Sequence, residues 1–410
     1  MSTVFLHVGQ AGCQIGEALW PALFQERPGY TDFFAPRLLP CPRAILVDAE
    51  PKVVEKIAAS SDGYSFDPRS VATAQSGRGG NFALGYTGGH STPSAVSALD
   101  GAAEPLWTRA LNAMRLQVEA CHGGHLGTLM SYSLGGGTGS GLGSRLLEEV
   151  RDAYPKMPLL VTPVLPISSG ENPMQCYNVL LSLSWLQDLA DGVLLYENDS
   201  LMALSEAEQA SGASGFESTS LASMNGIIAR DLIPHLCPDQ VCDLSELLSV
   251  APVGSMKFAQ LFSAGVKPPR YETQTTTKAV LEALGGTVRL RSRGDGNVLA
   301  ARCVVRGLAD LRGLKTELLE RLGGTVSWQP NPIDLQFSPQ ALRSTPTTRV
   351  SILLNWKRVA KPLREAHQQA CRKYSSRMFL HWYESYGFGA EDFAEAFETL
   401  ETIITTYDSA

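Results

Sequence analysis

The sequence predicts an α/β fold that opens with a parallel sheet, continues into a second α/β region and ends in helices. In the first half, short apolar runs alternate with amphipathic segments, which is typical of parallel strands covered by helices on both faces. The predicted strands there are VFLHV, RAILV, LGTLMSYS, PLLVTPVL and DGVLLY. Beyond residue 200, helical patterns are mixed with extended runs, namely GTVRLRS, LAARCVVRG, TVSWQP and RVSILLNW. Residues 363–407 predict two helices broken at YGFG.

Composition narrows the class of protein. The chain has 410 residues, enough for two or three domains, and a net charge of −7, which gives no electrostatic reason to bind nucleic acid. The sequence contains no apolar span of about 18 residues, so no membrane insertion is expected. Its first residues, MSTVFLHVGQAGCQ, lack the pattern of a signal peptide. The eight cysteines are scattered, which favours reduced thiols and a cytoplasmic location.

A glycine-rich run, SLGGGTGSGLG at residues 133–143, follows one of the predicted strands directly and precedes a helical pattern. Glycine lets the backbone approach a phosphate closely, and the first N–H groups of the following helix favour an anion. Thr138 and Ser140 add hydroxyl donors. A flexible linker is the alternative, but the flanking elements are apolar rather than polar. No P-loop lysine is present, so backbone dipoles and a metal are expected to neutralise the phosphates.

Two carboxylates, Asp48 and Glu50, follow the predicted strand RAILV. Carboxylates at the end of a parallel strand suit Mg²⁺, which takes a few of them together with phosphate oxygens and water. A solvated loop is the alternative interpretation. Gln10 and Ala11 lie in the turn after the first strand, where their backbone N–H groups can donate to a phosphate.

The motif GGGTGSG, at residues 135–141, resembles the signature of tubulins and of FtsZ. Similar segments follow in order over nearly the whole chain: HVGQAGCQIG, RAILVDAEP, QSGRGGNFALGY, CYNVLLSL, YENDSL and FLHWY. Within tubulins the chain is most similar to the delta branch, with the zeta branch second. The resemblance implies a GTP-binding domain at 1–197, an intermediate domain at 198–357 that includes a cross-subunit loop, and a C-terminal helical hairpin at 358–410.

The same resemblance implies GTP or GDP as ligand, with Mg²⁺ held by Asp48 and Glu50. The implied nucleotide contacts around the phosphates are Gln10, Ala11, Gly79, Gly80, Asn81, Gly136, Gly137, Thr138 and Gly139, and Gln14 and Ser133 are implied to face the nucleotide as well. For the ribose the implied contacts are Glu171 and Gln175, and for the guanine base Asn198, Phe216 and Ser220. Asn225 is the alternative to Ser220, because the segment SGASGFESTSLASMNG can be aligned with tubulins in more than one register.

The loop QSGRGGN departs from the tubulin pattern. Gly80 stands where tubulins carry an asparagine, and Arg78 stands where they carry a small residue. Losing the amide removes a donor to the terminal phosphate, and an arginine could replace it with a bidentate contact. Alternatively, Arg78 points to solvent or to a partner subunit.

The segment CDLSELL, at residues 242–248, carries the expected catalytic carboxylates, Asp243 and Glu246. Their spacing is that of a capping box at a helix start, which is a complete structural explanation by itself. In the resemblance, however, Glu246 matches the glutamate of alpha-tubulin that positions water against the nucleotide of a neighbouring subunit.

Two functions follow from the resemblance. The first is a GTP-binding cytoskeletal protein of centrioles and basal bodies that helps to organise triplet microtubules, contacts other tubulin subunits and hydrolyses GTP slowly on contact. The second is a guanine-nucleotide-binding interaction module that does not polymerise and hardly hydrolyses. Glu246 favours the first, whereas Gly80, Arg78 and an end at TTYDSA without a glutamate-rich tail favour the second.

Overall fold

The computed structural model describes most of the chain. The described ranges are 2–26, 32–59, 63–88, 104–121, 123–170, 172–210, 219–237, 244–251, 254–266, 277–291, 297–307, 312–322, 324–329, 331–344 and 347–410.

Strands and helices of these ranges alternate through the first half of the chain. The strands are β1 (Ser2–Val8), β2 (Phe34–Ala35), β3 (Cys41–Pro42), β4 (Ala44–Asp48), β5 (Val71–Thr73), β6 (His125–Ser133), β7 (Leu159–Leu165), β8 (Gly192–Leu194), β9 (Tyr196–Glu197), β10 (Phe258–Gly265), β11 (Val298–Arg306), β12 (Ile333–Ser338) and β13 (Arg349–Trp356). The helices are α1 (Gly9–Glu26), α2 (Pro51–Ala58), α3 (Phe82–Thr87), α4 (Leu106–Glu119), α5 (Gly143–Ala153), α6 (Gln175–Leu189), α7 (Asn198–Ala210), α8 (Leu221–Leu236), α9 (Leu244–Leu247), α10 (Thr277–Arg291), α11 (Leu314–Arg321), α12 (Ala360–Ser375), α13 (Leu380–Glu384) and α14 (Ala390–Ser409).

One large sheet runs through the molecule in the order β12-β11-β13-β10-β8-β7-β6-β1-β4-β5, with β9 beside β7. From β8 to β5 the pairings are all parallel. Strand β10 joins β8 in parallel, and β13 then runs antiparallel to both β10 and β11. The predicted α/β class, with a parallel sheet first and a second α/β region after it, is confirmed.

Apolar side chains are buried on both faces of this sheet, which is why its strands read as continuous apolar runs rather than alternating ones. Along β4, Ile45 and Val47 face one hydrophobic core, while Ala44 and Leu46 face the other. Helices α4, α5, α6 and α14 cover the first face, and α1, α2 and α8 cover the second. In such folds ligands bind at the carboxyl ends of the strands.

Two predicted extended runs are not strands. Residues 286–291 lie in α10, because Leu281, Leu284 and Val288 recur at helical spacing and bury one face of that helix. The run at 325–330 contributes one isolated bridge, between Thr325 and Val298. At the end of the chain a helix does begin after YGFG, but the segment before it divides into α12 and α13.

The boundary expected between residues 197 and 198 lies between β9 and α7. The sheet crosses it without a break through the pairing of β8 with β10, so the division into domains stays a prediction. Helices α12 and α14 pack on α6, and an ion pair joins Arg364 to Asp408 at 2.7 Å. Within the described ranges, no helix is both long and apolar enough to cross a membrane.

Candidate functional site

A cleft of about 760 Å³ opens at the carboxyl ends of β1, β4 and β6. Loops that are far apart in sequence meet there, as the topology of a parallel sheet requires. The lining residues are Val8, Gly9, Gln10, Ala11, Gln14, Ile15, Asp48, Glu50, Lys52, Val53, Arg78, Gly79, Gly80, Ser133, Gly136, Gly137, Thr138, Gly139, Val164, Asn198, Leu221 and Asn225. The cleft therefore brings together the residues around the glycine-rich run, both carboxylates and the amide of Asn198.

The glycine-rich run forms the floor of the cleft. Three of its six glycines, Gly137, Gly139 and Gly141, lie against other backbone: a Cβ on Gly137 would lie 2.6 Å from the carbonyl oxygen of Arg78, and one on Gly139 would lie 2.5 Å from that of Ser133. Gly136 is different, since a Cβ there would meet nothing within 4 Å. The absence of a side chain at Gly136 thus keeps the cleft open rather than relieving a packing clash.

Helix geometry adds backbone donors to this floor. Residues Thr138–Leu142 form one turn of π-helix that leads into α5, a local geometry that is frequent at functional sites. Helix α1 starts at Gly9, whose φ of 72° is in the left-handed region, and it places Gln10, Ala11 and Gln14 on the cleft wall. The first N–H groups of α1 and those of the glycine-rich run therefore face one space, an arrangement that suits an anion.

Asp48 ends β4 and is 4% exposed. Burial raises the pKa of Asp48 to about 6, although the N–H of Glu50, which donates to Asp48 Oδ1 at 3.4 Å, and the charge of Arg78 both lower it. The described residues include no cluster of three or more metal-ligating side chains. Asp48 and Glu50 in the cleft still fit Mg²⁺, because this ion takes one or two carboxylates and completes its shell with phosphate oxygens and water.

The loop after β5 closes the same end of the cleft. Gly79 and Gly80 have φ values of 55° and 65°, in the left-handed region that favours glycine. A Cβ on Gly80 would also lie 2.8 Å from Asn172 Nδ2. Arg78 is 2% exposed and lines the cleft, so its side chain does not point to solvent.

Asn81 does not line the cleft. Its Oδ1 accepts from the backbone N–H groups of Ala83 at 2.8 Å and Leu84 at 3.3 Å, which makes it the N-cap of α3. Its Nδ2 donates to the carbonyl oxygen of Trp382 at 3.1 Å. The Asn81 side chain therefore fixes the start of α3, and its amide is hydrogen-bonded to groups outside the cleft.

Two asparagines that the sequence interpretation missed hold the loops in place. Nδ2 of Asn178 donates to the carbonyl oxygens of Gly80 at 2.7 Å and Gly135 at 2.9 Å, and Nδ2 of Asn172 reaches the same two oxygens at 2.9 and 3.0 Å. Asn178 is completely buried. The available signal was an asparagine inside the apolar run CYNVLLSL, since a buried amide needs partners.

At the other end of the cleft, Asn198 and Asn225 supply amides from α7 and α8. Ser220 is not among the lining residues: its hydroxyl accepts from the N–H of Ser223 at 3.3 Å and caps α8. Gln175 lies in a separate small cavity, where its Nε2 donates to the carbonyl oxygen of Ile167 at 3.1 Å. The remaining expected residues, Glu171, Phe216 and Asp243, lie outside the described residues.

Glu246 also lies away from the cleft, on the short helix α9. Its Oε2 accepts from Arg302 Nη2 at 2.5 Å, and its carbonyl oxygen accepts from Nη1 of the same guanidinium at 3.3 Å. The Arg302 side chain is 4% exposed, whereas that of Glu246 is 47% exposed. Glu246 thus presents a carboxylate at the surface that is held from behind by a buried cation.

Comparison with known proteins gives the class. Residues 2–206 match the profile of the Tubulin/FtsZ family, GTPase domain. The chain is 26% identical to the tubulin beta-2 chain of Suillus bovinus, over 98% of this chain and 95% of that one, and 24% identical to the tubulin delta chain of Mus musculus, over 100% and 99%. It is also 24% identical to the tubulin beta-5 chain of Ectocarpus variabilis, over 98% and 94%.

The chain belongs to the Tubulin/FtsZ family, and the matched GTPase domain implies that it binds a guanine nucleotide. All lining residues of the cleft except Leu221 and Asn225 lie in that domain. Within the family it is a divergent member of the tubulin superfamily, as predicted. Its relatives are cytoskeletal, and tubulins generally assemble with other tubulin subunits.

Proposed function

We propose that this protein binds GTP in the cleft at the carboxyl ends of β1, β4 and β6. The observation that carries the proposal is the convergence of the glycine-rich run, the start of α1, the Asp48 carboxylate and the Asn198 amide on one space. The amides suit a guanine edge, because an amide both donates and accepts. The N–H groups suit phosphates. Asp48 and Glu50 would hold Mg²⁺, which would neutralise part of the negative charge of the phosphates.

Hydrolysis in this proposal depends on contact between subunits. Glu246 is outside the cleft of its own chain and half exposed, which suits a carboxylate that acts on the nucleotide of a neighbour. Phosphoryl transfer needs mainly positioning and charge stabilisation, and one carboxylate that orients water is sufficient for the nucleophile. The isolated chain is then a very slow GTPase, and a docked tubulin subunit raises the rate.

The partners in this proposal are other tubulin subunits, and the place of action is the centriole or basal body. The full-length similarity to a tubulin delta chain supports this assignment. The role there is the organisation of triplet microtubules. The measurement is location in ciliated cells: a tagged chain is expected at centrioles, and an even distribution along cytoplasmic microtubules would contradict this assignment.

A second function rests on a specific contact. The carboxylate of Glu246 is bound by Arg302 of its own chain, which also lies 3.6 Å from Asp334. A glutamate fixed in this way is less available to a neighbour, which favours a guanine-nucleotide-binding interaction module with little or no hydrolysis. The two functions differ in whether Glu246 affects turnover.

The test is nucleotide content followed by turnover. The purified chain is expected to carry guanine nucleotide. The total GTP turnover of a mixture with αβ-tubulin is expected to exceed the sum of the two separate rates, and Glu246→Ala is expected to lower this increase at least tenfold, because Glu246 acts on the nucleotide of the docked neighbour. Glu398→Ala is the matched control, because Glu398 is an exposed carboxylate on α14. Bound nucleotide without turnover in any mixture would favour the interaction module. No nucleotide and no affinity for GTP would refute both.

A further inference from the structure

We infer that Arg78 is a built-in cation for the terminal phosphate of GTP, which lets the protein distinguish GTP from GDP without Mg²⁺. This inference rests on the proposed binding of GTP in the cleft. The match to the Tubulin/FtsZ family covers the loop that carries Arg78 and assigns no role to this residue.

The order of the strands gives the cleft a direction. Asn198 follows β9, which pairs with β7, and the glycine-rich run follows β6. Then come α1 after β1, Asp48 at the end of β4, and Arg78 in the loop after β5. From β7 to β4 there are three inter-strand spacings, about 14 Å. The loop that carries Arg78 folds back from β5 over the glycine-rich run, where the Arg78 carbonyl oxygen lies against Gly137, and the charge of Arg78 acts on Asp48. The amides therefore mark one end of the cleft and the charged side chains the other.

This direction fixes how a nucleotide lies. A guanine read by amides occupies the β7 end, and its phosphate chain then crosses the glycine-rich run and the start of α1. The last phosphate to be reached lies nearest Asp48 and Arg78. GDP lacks this last phosphate, so it makes no contact with Arg78.

The position of Arg78 is fixed by its surroundings. It is 2% exposed, although arginine is seldom so buried without a specific reason. Its Nη1 donates to the carbonyl oxygen of Ser76 at 3.5 Å, and its own carbonyl oxygen accepts from the N–H of Asn81 at 3.0 Å. The same carbonyl lies against Gly137 of the cleft floor. These backbone contacts fix the loop, and burial restricts the rotamers of the side chain, so a phosphate contact costs less entropy than it would for an exposed arginine.

The chemistry of the side chain suits the task. A guanidinium presents a planar fork of donors that matches two phosphate oxygens, and its charge does not depend on pH or on a bound ion. Arg78 also acts on the nearby carboxylate of Asp48. Neutralising Asp48 alone is the competing role, and it differs in one respect: it would affect GTP and GDP equally.

Binding measurements separate these roles. GTP and GDP affinities would be measured by calorimetry in EDTA and again with Mg²⁺, on the wild type, Arg78→Ala, Arg78→Lys and Arg78→Met. Arg115→Ala is the matched control, because Arg115 is a well-exposed arginine that also lies near a carboxylate, that of Glu119 at 3.7 Å.

In EDTA, the wild type is expected to bind GTP at least tenfold more tightly than GDP. Arg78→Ala is expected to lose this preference while its GDP affinity changes less than threefold, and Arg78→Lys to keep part of it, because an ammonium lacks the fork. Equal losses for GTP and GDP would overturn the inference in favour of charge compensation for Asp48.

The wild type alone already decides the inference if every variant at this position fails to fold. No preference for GTP in EDTA would overturn the inference and leave the proposed function intact. Failure of the wild type to bind either nucleotide, with or without Mg²⁺, would refute the proposed function and the inference together.

Discussion

The glycines of the cleft floor serve two different purposes at the scale of single residues. Gly141 is needed for packing, because a Cβ there would lie 2.1 Å from the carbonyl oxygen of Phe82. At Gly136 a Cβ would meet nothing within 4 Å, and the position lines the cleft. One sequence motif thus contains glycines for folding and a glycine for the ligand.

Substitution separates the two purposes. Gly136→Val is expected to fold with the Tm of the nucleotide-free wild type, within about 2 °C, and to lose at least tenfold in GDP affinity, because the new side chain occupies ligand space. Gly141→Val is expected to lose more than about 3 kcal/mol of unfolding free energy, since backbone must move. Thermal unfolding and nucleotide titration on both variants check this. Equal stability of the two variants would contradict the distinction.

At the scale of elements, α6 connects the walls of the cleft to the C-terminal helices. Asn178 on α6 donates to Gly80 and Gly135, and its Oδ1 accepts from the N–H of Phe82 at 2.9 Å and from the hydroxyl of Tyr383 at 2.6 Å. One buried amide therefore makes hydrogen bonds to groups in two loops and in the helices α3 and α13.

Removing this amide is expected to be costly. Asn178→Ala leaves the buried N–H of Phe82 without a partner, at about 1–3 kcal/mol, and removes three further hydrogen bonds, with Gly80, Gly135 and Tyr383, at about 1 kcal/mol each, so a loss of at least about 3 kcal/mol is expected. Tyr383→Phe removes a single hydroxyl and is expected to cost about 1 kcal/mol. Urea unfolding followed by circular dichroism measures both. If the two variants lost the same free energy, Asn178 would not be the central connection.

How far the sequence predicts the structure depends on how local the cause is. The strand runs, the glycine-rich floor and the placing of Asp48 after a strand follow from neighbouring residues, and the structure has them. The sequence does not predict that Ser220 caps α8 or that Gln175 binds the carbonyl oxygen of Ile167, because each role depends on which partner lies beside the residue in the folded chain. Asn178 was missed for the same reason, since its partners come from separate segments. In α10, a run with β-branched residues and leucine predicts a strand locally, but the segment is helical because one face of the helix packs into the core.

Buried histidines make the whole molecule sensitive to acid. Burial lowers the pKa of His7 to about 4 and that of His235 to about 3, with the charge of Arg302 adding to the second. Both are neutral in the folded chain and take up protons on unfolding below about pH 6.5. Their contribution to stability is therefore present at neutral pH and lost as the pH falls. Asp48, with its raised pKa of about 6, acts in the opposite direction over pH 6 to 4.

The unfolding free energy is expected to fall by roughly 2 kcal/mol from pH 7 to pH 5, because two histidines outweigh one aspartate. His235→Gln should flatten this slope, and replacement of the exposed His381 by Gln should leave it unchanged. Urea unfolding at a series of pH values measures the slope. An unfolding free energy that stays constant or rises on acidification would contradict this account.

The join between β8 and β10 has a mechanical consequence. Among the described residues, two residue pairs, Phe258 with Val193 and Ala259 with Leu194, carry the sheet across it, as few as join β8 to β7 on its other side. A sheet separates most easily where few residue pairs join its strands, so a force pulling its two halves apart would act first at β8. The hydroxyl of Tyr407 on α14 accepts from the N–H of Phe258 at 3.0 Å and donates to its carbonyl oxygen at 2.9 Å. Helix α14 thus fixes the start of β10 at this narrow part of the sheet.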